Sequence, residues 1–264
     1  LKQVNKEQLL SHLRSEAEQA IGRHVLDLAR QAWETNRPQK TDFYDPYERK
    51  IAQSVLGSIP EVGYLQQGGY KKAERARLAV YPQFYLVETI ESTIRVLEAA
   101  GNFSFQKAGH SDYLGSILGT GLKRGKIGDI LVQESGCQVI VAAEVADYLL
   151  SNWSQVGKVP ITLKEIDEEQ LAVEPERIKE IKGTVASLRL DAVAAEGFGT
   201  SRSKMVREIK AERVKVNWKP VSNPALSISQ GDVLSIRGRG RVVVSEVGGT
   251  TRKGRTSIVL HRYF

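Results

Sequence analysis

Three stretches of this chain hold residue types that could do chemistry. His110-Ser111-Asp112 carries an imidazole, a hydroxyl and a carboxylate. Three consecutive residues cannot readily aim at one another as a hydrolytic relay requires, so Ser111 or Asp112 is read instead as a helix cap, with Asp112 also placed to accept from Lys123 or Arg124. Gly121-Leu122-Lys123-Arg124-Gly125-Lys126 echoes a phosphate loop. It is one residue short, and Ile127 stands where a Ser or Thr would hold magnesium. Gly115, Gly119 and Gly121 lack dinucleotide-loop spacing. The four histidines (His12, His24, His110, His261) are scattered, and Cys137 is the only cysteine. Neither a metal set nor a disulfide follows from that pattern. Cys137 reads as a small strand hydrophobe of a chain kept in a reducing compartment. The expectation is no catalytic residue, no cofactor and no metal.

The third stretch is basic. Residues 176–264 carry 18 Lys and Arg against 8 Asp and Glu, a net +10, while the rest of the 264-residue chain is −3, giving +7 in all. A cationic block on a near-neutral chain points to a polyanionic partner. Within it, Ser201 is a good N-cap for a helix over Arg202–Lys210. At 100° per residue its Met205, Val206 and Ile209 fall on one side and Lys204, Arg207 and Lys210 on the other. Lys215 and Lys219 flank the turn Asn217-Trp218, where Trp218 reads as a half-buried anchor. Arg237-Gly238-Arg239-Gly240-Arg241 places guanidiniums at close spacing, and each can grip two phosphate oxygens at once. The block alternates with β-like apolar positions rather than forming one amphipathic helix, which argues against a membrane surface. No apolar run approaches the ~20 residues of a membrane span, and the start has no secretory pattern. The chain begins at Leu1 rather than Met, which is compatible with a trimmed targeting segment.

These residues need elements to position them. Residues 1–75 read as a helical domain: Leu9, Leu10, Leu13, Ala17 and Ala20, then Val25, Leu26, Leu28, Ala29 and Ala32, recur at helical spacing until Asn36-Arg37-Pro38. A further helix runs from about Tyr47 to Leu56, after the turn 41–46 with its proline at the helix start. Residues 76–166 read as strands at 78–81, 90–97, 127–132, 137–141 and 159–163, with helices at 111–122 and 143–153. From the second strand on, this is the βαββαβ order of a ferredoxin-like, RRM-like domain. Residues 167–181 read as a charged linker containing Pro175, with a short helix at 176–181. Residues 182–264 read as a third, basic domain, with a helix at 186–196, the Ser201-capped helix, strands at 214–216, 233–236 and 242–244, and a terminal β-hairpin. The class is α+β.

The residues of this last block also carry a resemblance. Leu188-Arg189-Leu190-Asp191, Ser201-Arg202-Ser203, Val214-Lys215-Val216-Asn217, Gly231-Asp232 and the Arg-Gly repeat resemble an S4-type RNA-binding domain. The resemblance implies an RNA face that includes Arg189, Ser201, Arg202 and Asn217, with Asp191 and Ser203 inside the motifs. Many members have Gly before the Val-x-Val-Asn strand. Here Ala211-Glu212-Arg213 occupies that stretch, so a positive φ would strain Glu212. Upstream, Gly68-Gly69-Tyr70, Ala73-Glu74-Arg75, His110–Gly115, Gly121–Arg124 and Lys126-Ile127-Gly128-Asp129-Ile130 resemble the YlmH family, as does Thr250–Arg255 at the end. The valine- and isoleucine-rich wording is similar to its cyanobacterial and plastid branch, often labelled photosystem II S4-domain protein. In the family Arg follows the position of His110; Ser111 replaces it here.

The resemblance implies an RNA-binding protein that engages ribosomal or transfer RNA on the large ribosomal subunit, in rescue and quality control of nascent chains. It implies no enzyme, and His110, Lys123, Arg124 and Lys126 become candidate contacts of the central domain. The expected protein is a monomer of the cytoplasm, or of the chloroplast stroma in a plastid-bearing organism. Two other readings compete: an RNA-modifying enzyme of the pseudouridine-synthase kind, and an assembly factor for photosystem II. The first needs a larger catalytic domain with an activating loop residue, which residues 76–166 do not display.

Overall fold

A computed structural model describes residues 6–104, 106–173, 177–252 and 254–263. They form two compact units, on either side of residues 174–176; Pro175 of the expected linker lies outside the described residues.

The first unit opens with α1 (Lys6–Leu10) and α2 (Glu16–Thr35), then β1 (Gln39–Lys40), α3 (Pro46–Leu56), β2 (Val62–Gln67) and β3 (Arg77–Pro82). Reciprocal capping boxes start both long helices: Ser15 with Glu18 on α2, Asp45 with Glu48 on α3. The helix α2 runs unbroken through Gly22 because the turn before it packs against that glycine; a Cβ there would lie 2.5 Å from Leu10 Cδ2. Val25, Leu26 and Ala29 of α2 and Ile51, Ala52 and Val55 of α3 pack on Leu78 and Val80 of β3. Two sequence expectations are corrected here. The first 75 residues carry, besides their helices, the strands β1 and β2, and the strand read at 78–81 pairs with both of them in the order β1-β3-β2. The boundary placed at 75/76 therefore cuts a sheet whose pairing runs across it.

A second sheet follows: β4 (Ile94–Gly101), α4 (His110–Gly119), β5 (Ile127–Gln133), β6 (Gly136–Ala142), α5 (Ala143–Asn152), β7 (Gln155–Val156) and β8 (Val159–Ile166). The order β5-β6-β4-β8-β7 is antiparallel throughout, and its first four strands have the ferredoxin-like arrangement. On one face Tyr113 and Ile117 of α4 and Leu149 of α5 pack against Leu97, Cys137, Val139 and Val141. Cys137 is a buried free thiol, pushed up to about 12 by burial. The other face is covered too: Ile94, Val96, Ile140 and Ala142 meet Phe43, with Tyr70 and Leu171 alongside. This is why all of β6 is buried and why Gly128 is a glycine; a Cβ there would sit 2.7 Å from the Phe43 ring.

The second unit contains β9 (Ile178–Val185), α6 (Leu190–Gly197), α7 (Arg202–Lys210), β10 (Val214–Val216), β11 (Lys219–Pro220), β12 (Val233–Ile236), β13 (Gly240–Thr250) and β14 (Thr256–Tyr263). The sheet order is β11-β10-β12-β13-β14-β9, antiparallel. The expected linker helix at 176–181 is corrected: residues 178–185 are an edge strand paired along β14. A short run of alternating charge and isoleucine does not reveal the partner strand, more than seventy residues ahead, that makes it β. The helices α6 and α7 cover one sheet face, with Leu190, Val193, Met205 and Ile209 against Val214, Leu234, Val242 and Leu260.

Candidate nucleic-acid interface

In the second unit, the site begins with one buried carboxylate. Asp191, in the first turn of α6, is 2% exposed. It accepts from Arg189 Nε at 3.2 Å and Nη2 at 3.1 Å, and from Arg202 Nη2 at 3.1 Å. Burial pushes its carboxyl upward, and the two arginines outweigh that, leaving it below its ordinary value. The hydrogen bond to Asp191 raises Arg189 in turn. Two guanidiniums share one negative charge, so the trio keeps a net +1, and the arginine side chains remain 41% and 50% exposed. Asp191 thus does not face an RNA, as its inclusion in the site had implied; it is the pin that holds two residues thirteen positions apart side by side.

Helix α7 continues the surface. Ser201 caps it, accepting from Lys204 N at 3.3 Å, so its hydroxyl has an internal duty. Met205 and Ile209 are buried, while Ser203, Lys204, Arg207 and Lys210 are exposed. No carboxylate among the described residues pairs with Lys204, Arg207 or Lys210. After the helix, Glu212 takes φ 55°, the left-handed conformation that favours glycine.

Of the remaining expected contacts, Asn217 and Arg239 are committed within the fold, and Lys215 and Arg241 lie on the other sheet face. Asn217 has its side chain committed: Nδ2 donates to Asp232 Oδ1 at 2.8 Å and Oδ1 accepts from Val233 N at 2.9 Å. It ties the β10–β11 turn, where Asn217 and Trp218 have φ 50° and 66°, to the start of β12. Lys215 lies between Val214 and Val216, which face the helices, so it projects from the opposite side of the sheet. Arg241 neighbours the core residue Val242 and shares that far side, with its guanidinium 4.8 Å from the Tyr263 ring centre. Arg239 folds back onto the end of α6, donating to Phe198 O at 2.8 Å and stacking on that ring. Arg237 is exposed on the β12–β13 turn and Lys219 on β11. Alternation along a strand hid this division, because a basic-residue list does not record which sheet face each member occupies. Lys253 of the terminal motif lies outside the described residues.

In the first unit the family motifs converge. Asp129 of β5 accepts from Tyr70 Oη at 2.8 Å, Glu74 N at 2.7 Å and Arg75 N at 3.0 Å. It fixes the loop between β2 and β3 against the central sheet, so Tyr70 does more than pack. Beside it, Arg124 donates to Ile127 O, and to Gly128 O at 3.4 Å. Arg75, which sequence reasoning left out of the site, donates to Ile127 O at 3.2 Å and to Phe43 O; its place in the Ala-Glu-Arg motif was the available signal. His110 opens α4 with its surface exposed; partial burial of the ring and the Arg124 charge hold its imidazole below the usual histidine range, against Asp129 and Glu74. The N-cap of α4 is Gly109, not Ser111 or Asp112 as expected; Asp112, at the third helical position, accepts from Gly109 N at 2.8 Å, which occupies it within the helix start rather than in a relay with His110. Lys123 is exposed. Lys126 is held between Asp42 at 2.6 Å and Glu144 at 3.0 Å. An RRM-like sheet binds bases by stacking them on an open face. Here that face is filled by Phe43 and its neighbours, so stacking there is closed off.

No group of His, Cys, Asp and Glu among the described residues could hold a metal ion. No helix among them is long and apolar enough to cross a membrane.

Comparison with known proteins follows the same division. Residues 16–85 match the family description "YlmH, N-terminal", residues 88–170 "Putative RNA-binding domain in YlmH", and residues 188–234 the S4 domain. The chain is 35% identical over 254 residues to the ribosome-associated protein quality control protein P2 of Bacillus subtilis (strain 168), covering 96% of this chain and 98% of that protein. Among solved structures it resembles the cell division protein ylmH from Streptococcus pneumoniae, with a TM-score of 0.52 and 21% identity over 60% of this chain and 96% of that one. That last likeness bears on the fold alone.

Proposed function

The chain belongs to the YlmH family, and from that premise we propose that it is a ribosome-associated RNA-binding protein whose S4 domain docks on structured RNA through the α6–α7 corner. The observation that carries this reading is the corner itself. Arg189 and Arg202 are pinned together by Asp191, and Lys204, Arg207 and Lys210 stand exposed beyond them on α7. Guanidiniums already held by a buried carboxylate lose little freedom on meeting a phosphate, and these side chains remain 41% and 50% exposed. Such a rigid cationic corner suits A-form RNA, which is read by shape and phosphate position rather than by base edges.

The Bacillus relative, similar along nearly its whole length, is named for ribosome-associated quality control. That supports a ribosome-associated role in protein quality control; to it the proposal adds a site of ribosomal or transfer RNA on the large subunit, engaged by a monomer that acts by binding, in the cytoplasm or a plastid stroma. The test is sedimentation of the purified protein with isolated ribosomal subunits over a range of salt. Co-migration with the large subunit, weakening steeply as salt rises, is the expected result. A protein that stays at the top of the gradient at low salt, or travels with the small subunit, overturns the proposal. Mass spectrometry of treated RNA showing a modified nucleotide would replace it with an enzymatic role.

A further inference from the structure

Arg75 and Arg124 approach each other through a single oxygen. Nε of Arg75 and Nη1 of Arg124 both donate to the carbonyl of Ile127. Their other acceptors, Phe43 O and Gly128 O, are also neutral main chain. No carboxylate hydrogen-bonds either guanidinium among the described residues. Asp129, the acid beside them, has its oxygens committed to Tyr70 Oη and to the N–H groups of Glu74 and Arg75. Two like charges are thus set together without direct neutralisation. Burial, then the Arg75 charge, lowers Arg124 to about 10 against the opposing charges of Asp129, Glu74 and Glu48, and an arriving anion would offset the cost that remains. Among the described residues, Nη1 of Arg75 and Nε and Nη2 of Arg124 have no hydrogen-bond partner and are not among the sealed polar atoms. They are donors open to a ligand. Lys123, next along the chain, adds an exposed cation.

We infer that Arg75 and Arg124, with His110 nearby, form a second RNA site in the first unit: a contact point for a backbone phosphate, separate from the S4 corner. The choice of RNA over another anion rests on the reading above. The pair's planar forks fit a phosphodiester, and since the central sheet has no open face, RNA meeting this unit would be held by its backbone rather than by base stacking.

The experiment uses the full chain and a fluorescent RNA hairpin titrated over a salt series. Arg124→Gln is expected to weaken binding about fivefold to tenfold and to lower the log–log salt slope by roughly one; Arg124→Lys, which keeps the charge but not the fork, falls between. Arg207→Ala, on the S4 corner, serves as the independent arm. Wild-type affinity and slope for Arg124→Gln, with Arg207→Ala weakened, overturn this inference alone. Wild-type affinity for Arg207→Ala counts instead against the S4 corner. A second readout needs no folded variant: NMR titration of the His110 ring in the wild-type protein. A bound phosphate group favours the imidazolium against Arg124, so the hairpin should raise the pKa of His110. No movement overturns the site. An equal rise with inorganic phosphate at the same phosphate concentration would also overturn it, in favour of a small-anion pocket.

Discussion

Asp191 makes opposite predictions according to whether net charge or geometry governs the S4 corner. Asp191→Asn removes a negative charge from a cationic surface, which on charge alone should tighten RNA binding. The geometry predicts the reverse, because Arg189 and Arg202 lose the anchor that orients them. Filter binding should show weaker affinity, and denaturation a stability loss of about 1–2 kcal/mol, discounted because both arginines are substantially exposed. Tighter binding by the variant would refute the role of pin. Since the folded carboxyl lies below its ordinary value, this stabilisation is present above the unfolded aspartate value near 3.9 and disappears as pH falls further. Glu212 offers a residue-scale change of the other sign. At φ 55° a non-glycine residue is strained by about 1 kcal/mol, so Glu212→Gly should raise Tm by a few degrees while leaving RNA binding at least as tight. A lower Tm would show that the side chain compensates for its backbone.

At the scale of elements, the start of α5 is fastened to the sheet of the N-terminal region through Glu144. The Arg77 side chain is 1% exposed and donates twice to this carboxylate, at 2.8 and 2.9 Å, with Lys40 and Lys126 on the same group. Burial alone would raise Glu144, but its hydrogen bonds from Arg77, the backbone and Lys126 hold it far below the usual carboxylate range. Glu144→Gln leaves a buried guanidinium without its counter-charge and should cost about 3 kcal/mol in urea denaturation; a loss under 1 kcal/mol would mean that Thr41 O and Thr93 O suffice for Arg77. The pH sign is the depressed-carboxylate one: stability is complete above the unfolded glutamate value near 4.3 and is lost as acid protonates the folded group. The S4 sheet separates two faces in the same way. Lys215→Ala and Arg241→Ala alter the side away from α6 and α7, so each should leave affinity for the hairpin within about twofold, the size of a surface change outside the contact. A loss as large as that of Arg207→Ala would place RNA on the other side of the sheet.

For the whole molecule, the first unit ties two sheets together through the motif residues Tyr70, Arg75 and Asp129, while the second carries the excess positive charge. Much of this was legible in the residues. Charge is additive along a chain, so the cationic block needed no structure. Helical periodicity is local, so α2, α3 and α7 could be read, α3 with its proline start and α7 with its Ser201 cap, as could the βαββαβ order of the central sheet and the strain at Glu212. What escaped was decided by distant partners. The strand β9 exists because β14 pairs with it, β3 joins β1 and β2 rather than the sheet that follows, and Asn217, Arg239 and Lys126 are occupied by groups the sequence does not place beside them. Composition and period determined the kind of partner and most of the elements. Tertiary structure alone decided which cations stay free to meet that partner, because whether a side chain is open or internally paired depends on contacts made across the fold.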